Sequence, residues 1–112
     1  AYAVEGLSAP ATTPGAEPVY HLYTVKMDLS KFRCTRDEFC KALLAEGVPT
    51  AVHYPRSLPL QPALAKFAKK DTPVADGLAS RIFSLPMHHD VTEEQVRAVE
   101  AALRKVAVAM RA

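Results

Sequence analysis

Hydrophobic and polar positions are patterned first over residues 19–28, where Tyr20, Leu22 and Thr24 interleave with Val19, His21, Tyr23 and Val25. Aromatic and β-branched residues dominate, which suits a pleated backbone, so the stretch predicts a strand that is apolar on both faces. Such a strand is central in its sheet or turns one face to a partner. The period then changes. Thr35-Arg36-Asp37-Glu38 reads as a capping box, in which the threonine hydroxyl accepts from the third helical amide and the glutamate accepts from the cap amide. Phe39, Cys40, Leu43, Leu44 and Glu46 follow at helical spacing, and Gly47 supplies the left-handed residue that ends a helix. Residues 48–54 predict a second short strand, confined between Pro49 and Pro55, which cannot donate to a ladder.

Residues 55–62 hold three prolines in PRSLPLQP and predict a shaped loop. A short helical turn is expected over 63–69, and Thr72-Pro73 opens a second helix that runs to about residue 82. Residues 83–87 predict a strand halted by Pro86. Thr92-Glu93-Glu94-Gln95 is a second capping box, after which Val96, Val99, Leu103, Val106 and Met110 recur at intervals of three and four. Residues 1–18, with Pro10, Pro14, Pro18, Gly6 and Gly15 among small side chains, read as a linker or tail, leaving 19–112 as the domain. The order β-α-β-loop-α-β-α favours an α+β fold: a small, mainly antiparallel three-stranded sheet packed with helices.

Composition narrows the classes. With 112 residues, 49% hydrophobic and 23% charged, the chain suits one globular domain. A domain this size buries only roughly 65% of its unfolded surface, so a deep pocket is expected to be shared with another unit. A net charge of +2, with no basic cluster beyond Lys69-Lys70, argues against nucleic acid as partner. Apolar runs such as 106–110 fall far short of the roughly 20 residues of a membrane helix. No signal peptide opens the chain, and a cytoplasmic location with no membrane partner is expected. Ala1 in place of an initiator methionine suggests processing or a piece of a longer polypeptide.

Candidate chemistry is sparse. His88-His89-Asp90, with His21 and His53, offers metal-ligand types, but adjacent histidines diverge on most backbones and these read as a solvated turn. Cys34 and Cys40 support neither a disulfide framework nor a zinc knuckle, and Cys40 lies among apolar helical positions as a small core residue would. None of the seven lysines stands in a setting that would lower its pKa, and the four glycines are too scattered for a phosphate loop. What remains is the run from Thr50 to Arg56. It presents His53, Tyr54 and Arg56 where a strand enters the proline-stiffened loop. Imidazole can donate or accept, tyrosine offers a ring face and a hydroxyl, and guanidinium clamps phosphate with two prongs, a set suited to a phosphorylated, hydroxyl-rich ligand. The structural alternative has Tyr54 packed on the sheet, His53 bonded to a backbone carbonyl and Arg56 solvated.

Six segments in order carry a family resemblance: Tyr20-His21-Leu22-Tyr23, Arg36-Asp37-Glu38-Phe39, the run from Leu43 to Gly47, His53-Tyr54-Pro55 with Leu60-Gln61-Pro62-Ala63, Ser84-Leu85-Pro86-Met87-His88, and Thr92-Glu93-Glu94-Gln95. Over about residues 18–111 the chain resembles the C-terminal small domain of the DegT/DnrJ/EryC1/StrS sugar aminotransferases. The resemblance implies the small domain of a fold-type I enzyme that uses pyridoxal phosphate to move an amino group, commonly from glutamate, onto a nucleotide-linked keto sugar. Such enzymes serve surface polysaccharide and antibiotic deoxysugar pathways. It also implies that an N-terminal large domain carries the cofactor lysine, the aspartate beside the pyridine nitrogen and most phosphate contacts. This chain would then hold no catalytic or cofactor-binding residue, bind no cofactor alone and be inactive by itself. Its share would be to close one side of the cleft and help hold the sugar nucleotide at a homodimer active site, with His53, Tyr54 and Arg56 as substrate-binding residues. Where the family commonly writes proline, leucine and histidine before Leu-Gln-Pro, this chain has Ser57, Leu58 and Pro59. The rival reading is a free-standing interaction or dimerisation module that kept the fold and lost the enzyme.

Overall fold

A computed structural model describes residues 4–67 and 71–112. Strand β2 (Tyr23–Met27) runs through the middle of a three-stranded antiparallel sheet, flanked by β1 (Leu7–Ser8) and β3 (Ile82–Leu85). Leu7 faces Met27 across one ladder, while Val25 faces Phe83 across the other. Helices α1 (Arg36–Ala45) and α3 (Glu93–Ala109) pack on each other, and α1 also packs on β3. The short helix α2 (Pro73–Ala79) leads into β3. The α+β class and the three antiparallel strands agree with the sequence reading.

The membership of the sheet differs from that reading. Residues 48–54 make no strand. Ala51 alone bridges to Ser84, its amide donating to the Ser84 carbonyl at 3.0 Å while the Ser84 amide donates back at 2.7 Å. Pro49, at the next bonded position on one side, has no donor with which to extend this pairing. The third strand comes instead from within the segment expected to be a linker or tail. Two residues suffice there, because Val4 is buried in the core and Gly6, at φ +86°, turns the chain into β1. The predicted strand over 19–28 shortens to five residues because Tyr20 takes φ 47°, a left-handed conformation that ends pleating. Its central position holds. Val25 and Met27 are buried and Lys26 is exposed, so only one face is apolar throughout.

Both capping boxes form. Thr35 Oγ1 accepts from the Glu38 amide at 3.3 Å and Thr92 Oγ1 from the Gln95 amide at 3.2 Å, each with the return bond to the cap amide. Helix α1 ends in a Schellman motif, with the Gly47 amide on the Leu44 carbonyl and the Val48 amide on the Leu43 carbonyl. Phe39, Leu43, Phe83 and Met27 form the fully buried centre, and Leu103 and Val106 of α3 close over it. From Val99 to Met110 the expected stripe on α3 therefore faces the core, while Val96 stands outside it. Leu44 and Glu46 of the α1 stripe do not; they are exposed, and Glu46 accepts from Lys105 Nζ at 2.7 Å.

Helix α2 stops at Ala79, short of residue 82, because Arg36 competes for the chain there. The Arg36 guanidinium is buried and donates to the carbonyls of Ala79 at 3.0 Å and Ile82 at 2.8 Å. The Arg81 carbonyl accepts from the Met27 amide, which commits the next residues to β3. Residues 62–67 make the expected turn as a 3-10 helix; the end of that prediction, and the Lys69-Lys70 pair, lie outside the described residues.

Candidate functional site

The chain between the Ala51 bridge and the 3-10 turn Leu58–Leu60 forms an arch that carries the three candidate side chains. His53, Tyr54 and Arg56 are all exposed, Tyr54 to 69%. The His53 and Tyr54 rings meet edge to face with centroids 5.8 Å apart. No carboxylate among the described residues pairs with Arg56. Tyr54 does not pack on the sheet as the structural alternative required, whereas the solvent-facing Arg56 is what that alternative expected; ring and guanidinium share one short segment.

Both ends of the arch are fixed. Upstream, two backbone hydrogen bonds hold Ala51 to β3. Downstream, Gln61 Nε2 donates to the Arg56 carbonyl at 3.0 Å, and the buried Ser57 donates its hydroxyl to Asp76 Oδ1 on α2. Thr72 Oγ1 donates to the same carboxylate oxygen at 3.0 Å. Sequence reasoning missed Ser57, Thr72 and Asp76. The available signal was the i, i+4 pair of Thr72 and Asp76 at a helix start, but it named no third partner.

A second feature is a cleft of about 530 Å³ lined by Tyr20, Tyr23, Val48, Leu85, Met87 and Val96, among others. It opens where the C-terminal end of α1, the end of β3 and the first turns of α3 meet, and its walls are mostly apolar. The sequence placed Val96 in the core stripe and did not find the cleft, because its walls come from four separate elements.

The other candidates separate in space. Among the described residues no three of His, Cys, Asp and Glu stand close enough to hold a metal, and His89 pairs with Asp90 at 3.1 Å in an exposed turn. Burial pushes both thiols above their ordinary value, with Glu38 adding to the effect at Cys34, so each stays protonated at neutral pH and a poor nucleophile. The described lysines, Lys26, Lys31, Lys41, Lys66 and Lys105, are solvent-facing, and no two glycines cooperate in a phosphate cradle. These residues do not fit pyridoxal phosphate, whose carbonyl-reactive partner is a desolvated amine. No helix among the described residues is long and apolar enough to cross a membrane.

Comparisons with known proteins converge. Over 98 residues the chain is 40% identical to UDP-2-acetamido-2-deoxy-3-oxo-D-glucuronate aminotransferase of Pseudomonas aeruginosa, covering 88% of this chain and 25% of that protein. The fold matches S. venezuelae DesV in complex with a ketimine intermediate, with a TM-score of 0.78 and 36% identity over 91% of this chain and 26% of that one. An aminotransferase from Brucella abortus matches with a TM-score of 0.75 and 28% identity, covering 89% and 26%. The chain thus spans about a quarter of the length of the curated relatives it matches. Residues 2–104 match the family model, and the chain belongs to the DegT/DnrJ/EryC1/StrS aminotransferase family.

Proposed function

We propose that this chain is the small domain of a pyridoxal-phosphate sugar aminotransferase, and that its arch holds a nucleotide-linked keto sugar against the rest of the enzyme. The observation that carries the reading is Arg56: an exposed guanidinium without a carboxylate partner among the described residues, on an arch fixed at both ends, in a chain of this family. Guanidinium matches a diphosphate in both charge and fork geometry. Tyr54 supplies a ring face for a sugar or base, and His53 a hydroxyl partner. The relatives named for UDP-linked and dTDP-linked sugars support the substrate class.

The cofactor, when bound, supplies the electron sink for amino transfer, and the lysine and phosphate contacts it needs belong to the remaining three quarters of the parent. The chain alone is inactive in this reading, the parent draws its amino group from glutamate, and it works as a cytoplasmic homodimer in polysaccharide or deoxysugar synthesis. This domain contributes positioning and exclusion of water. In the full-length parent, Arg56→Ala raises KM for the nucleotide sugar by about tenfold or more while kcat changes little, the pattern of lost uniform binding. Steady-state kinetics with UDP-2-acetamido-2-deoxy-3-oxo-D-glucuronate, the compound in the name of the Pseudomonas aeruginosa relative, measures this. Unchanged KM removes Arg56 from the site. A native gene product of this length, rather than one about four times longer, favours the interaction-module reading instead.

A further inference from the structure

The Ser57–Asp76 contact joins two segments 19 residues apart in sequence, and no other side-chain bond among the described residues links the arch to α2. Ser57 is the residue immediately after Arg56 and is buried, with 8% exposure, whereas residues 53–56 are exposed. Asp76 Oδ1 accepts two hydroxyls, from Ser57 and Thr72, in the first turn of α2, where the helix N-terminus favours negative charge. Hydrogen bonds to an ionised acceptor are roughly twice as strong as neutral ones. The Ser57 carbonyl meanwhile accepts from the Leu60 amide at 3.1 Å, so both polar groups of Ser57 on this side are engaged. The Arg56 backbone is thereby set from its C-terminal side by a carboxylate that does not itself carry any candidate ligand group.

We infer that Asp76 is a positioning residue: through Ser57 it fixes the backbone from which Arg56 presents its guanidinium to the nucleotide diphosphate. The inference rests on the proposed sugar-nucleotide site, and it assigns Asp76 no contact with substrate. A preset guanidinium binds without losing the freedom of the arch on each encounter, so releasing the arch weakens ground-state binding more than it slows chemistry.

The test uses the full-length parent and two readouts, one independent of any sugar. Hydrogen exchange of the amides within residues 56–60, where Pro59 has none, reports the hold on the arch, and KM and kcat for UDP-2-acetamido-2-deoxy-3-oxo-D-glucuronate report its use. Asp76→Ala speeds exchange across 56–60 and raises KM about tenfold, with kcat within about twofold of the parent. Asp76→Asn, which keeps an acceptor oxygen but loses the charge, recovers part of both effects. The double variant Asp76→Ala with Arg56→Ala is no worse than Arg56→Ala alone, since both act through one group. Ser57→Ala repeats the Asp76→Ala pattern and serves if that variant misfolds. Parent-like exchange and KM in both Asp76→Ala and Ser57→Ala overturn the inference, as does a double variant whose losses multiply. Faster exchange together with an Arg56→Ala enzyme of parent-like KM leaves the hold on the arch standing and overturns the sugar-binding role.

Discussion

Two capping boxes share a threonine cap but differ in the residue that reaches back to it, and the difference makes one of them sensitive to acid. Glu38 accepts from the Thr35 amide at 2.7 Å and the Thr35 hydroxyl at 2.8 Å, and these bonds hold its carboxyl below the ordinary value of 4.5. Because the folded value is the lower one, the carboxylate contributes stability that is complete above the unfolded value and is lost as pH falls through the folded value. Gln95 occupies the same position in the second box and does not titrate. Glu38→Gln is therefore expected to lower the urea midpoint of the chain near pH 6, above the ordinary carboxyl value, and the difference is expected to close as pH falls through the lowered folded value. A difference that persists at the acid end would remove the charge from the account. Both boxes were legible in the sequence because a box is four consecutive residues. Arg36, in the middle of one, was not: the carbonyls it serves belong to Ala79 and Ile82, 43 and 46 residues on, and no local pattern announces a partner at that range.

At the scale of elements, the sheet was readable where a strand announces itself by alternation and unreadable where tertiary contact makes the strand. Residues 23–27 alternate; Leu7 and Ser8 do not, and they become a strand because Val4 inserts into the core and Gly6 approaches a ring closely. A β-carbon on Gly6 would stand 2.5 Å from Phe32 Cε2, and that ring cannot retreat, being buried and packed edge to face against Phe39 at 5.3 Å. Gly47 shares the left-handed backbone, at φ +83°, but has no atom within 4 Å of the same position. Two substitutions thus separate strain from crowding. Gly47→Ala carries the backbone penalty alone, about 1–2 kcal/mol. Gly6→Ala adds displacement of a core aromatic, for a total of about 3 kcal/mol or more, and loosens β1 from Met27. Denaturation of the two variants side by side checks the order, and equal losses would mean that Phe32 yields freely. The absent strand at 48–54 follows the same logic: Pro49 has no donor at the next bonded position, and Ala51 alone bridges to Ser84.

For the molecule as a whole, the radius of gyration is 15.4 Å, against about 13 Å for a compact domain of this length. The excess comes from segments that leave the core: residues 9–19 are exposed almost without interruption, and residues 62–67 form a 3-10 stretch with no buried side chain. The site shares this character. The sequence could nominate His53, Tyr54 and Arg56 from their chemistry and the prolines around them, but not the Ser57–Asp76 contact that fixes the arch, nor the cleft assembled from four elements, because both depend on how distant segments are brought together. Local opening costs least where few apolar contacts hold the backbone, and proteolysis reads that cost. Subtilisin is therefore expected to cut first within 9–19 and 62–67, while α1 and α3, locked through Phe39, Leu43, Leu103 and Val106, resist. Residues 53–56 are as exposed as either labile segment, yet the arch is tied at Ala51 and at the buried Ser57, so cleavage there should lag behind 62–67 in the parent and catch up with it in Asp76→Ala. Mass spectrometry of early digests gives the order, and an arch cut as early as 62–67 in the unaltered protein would show that exposure alone, without the two anchors, sets its mobility.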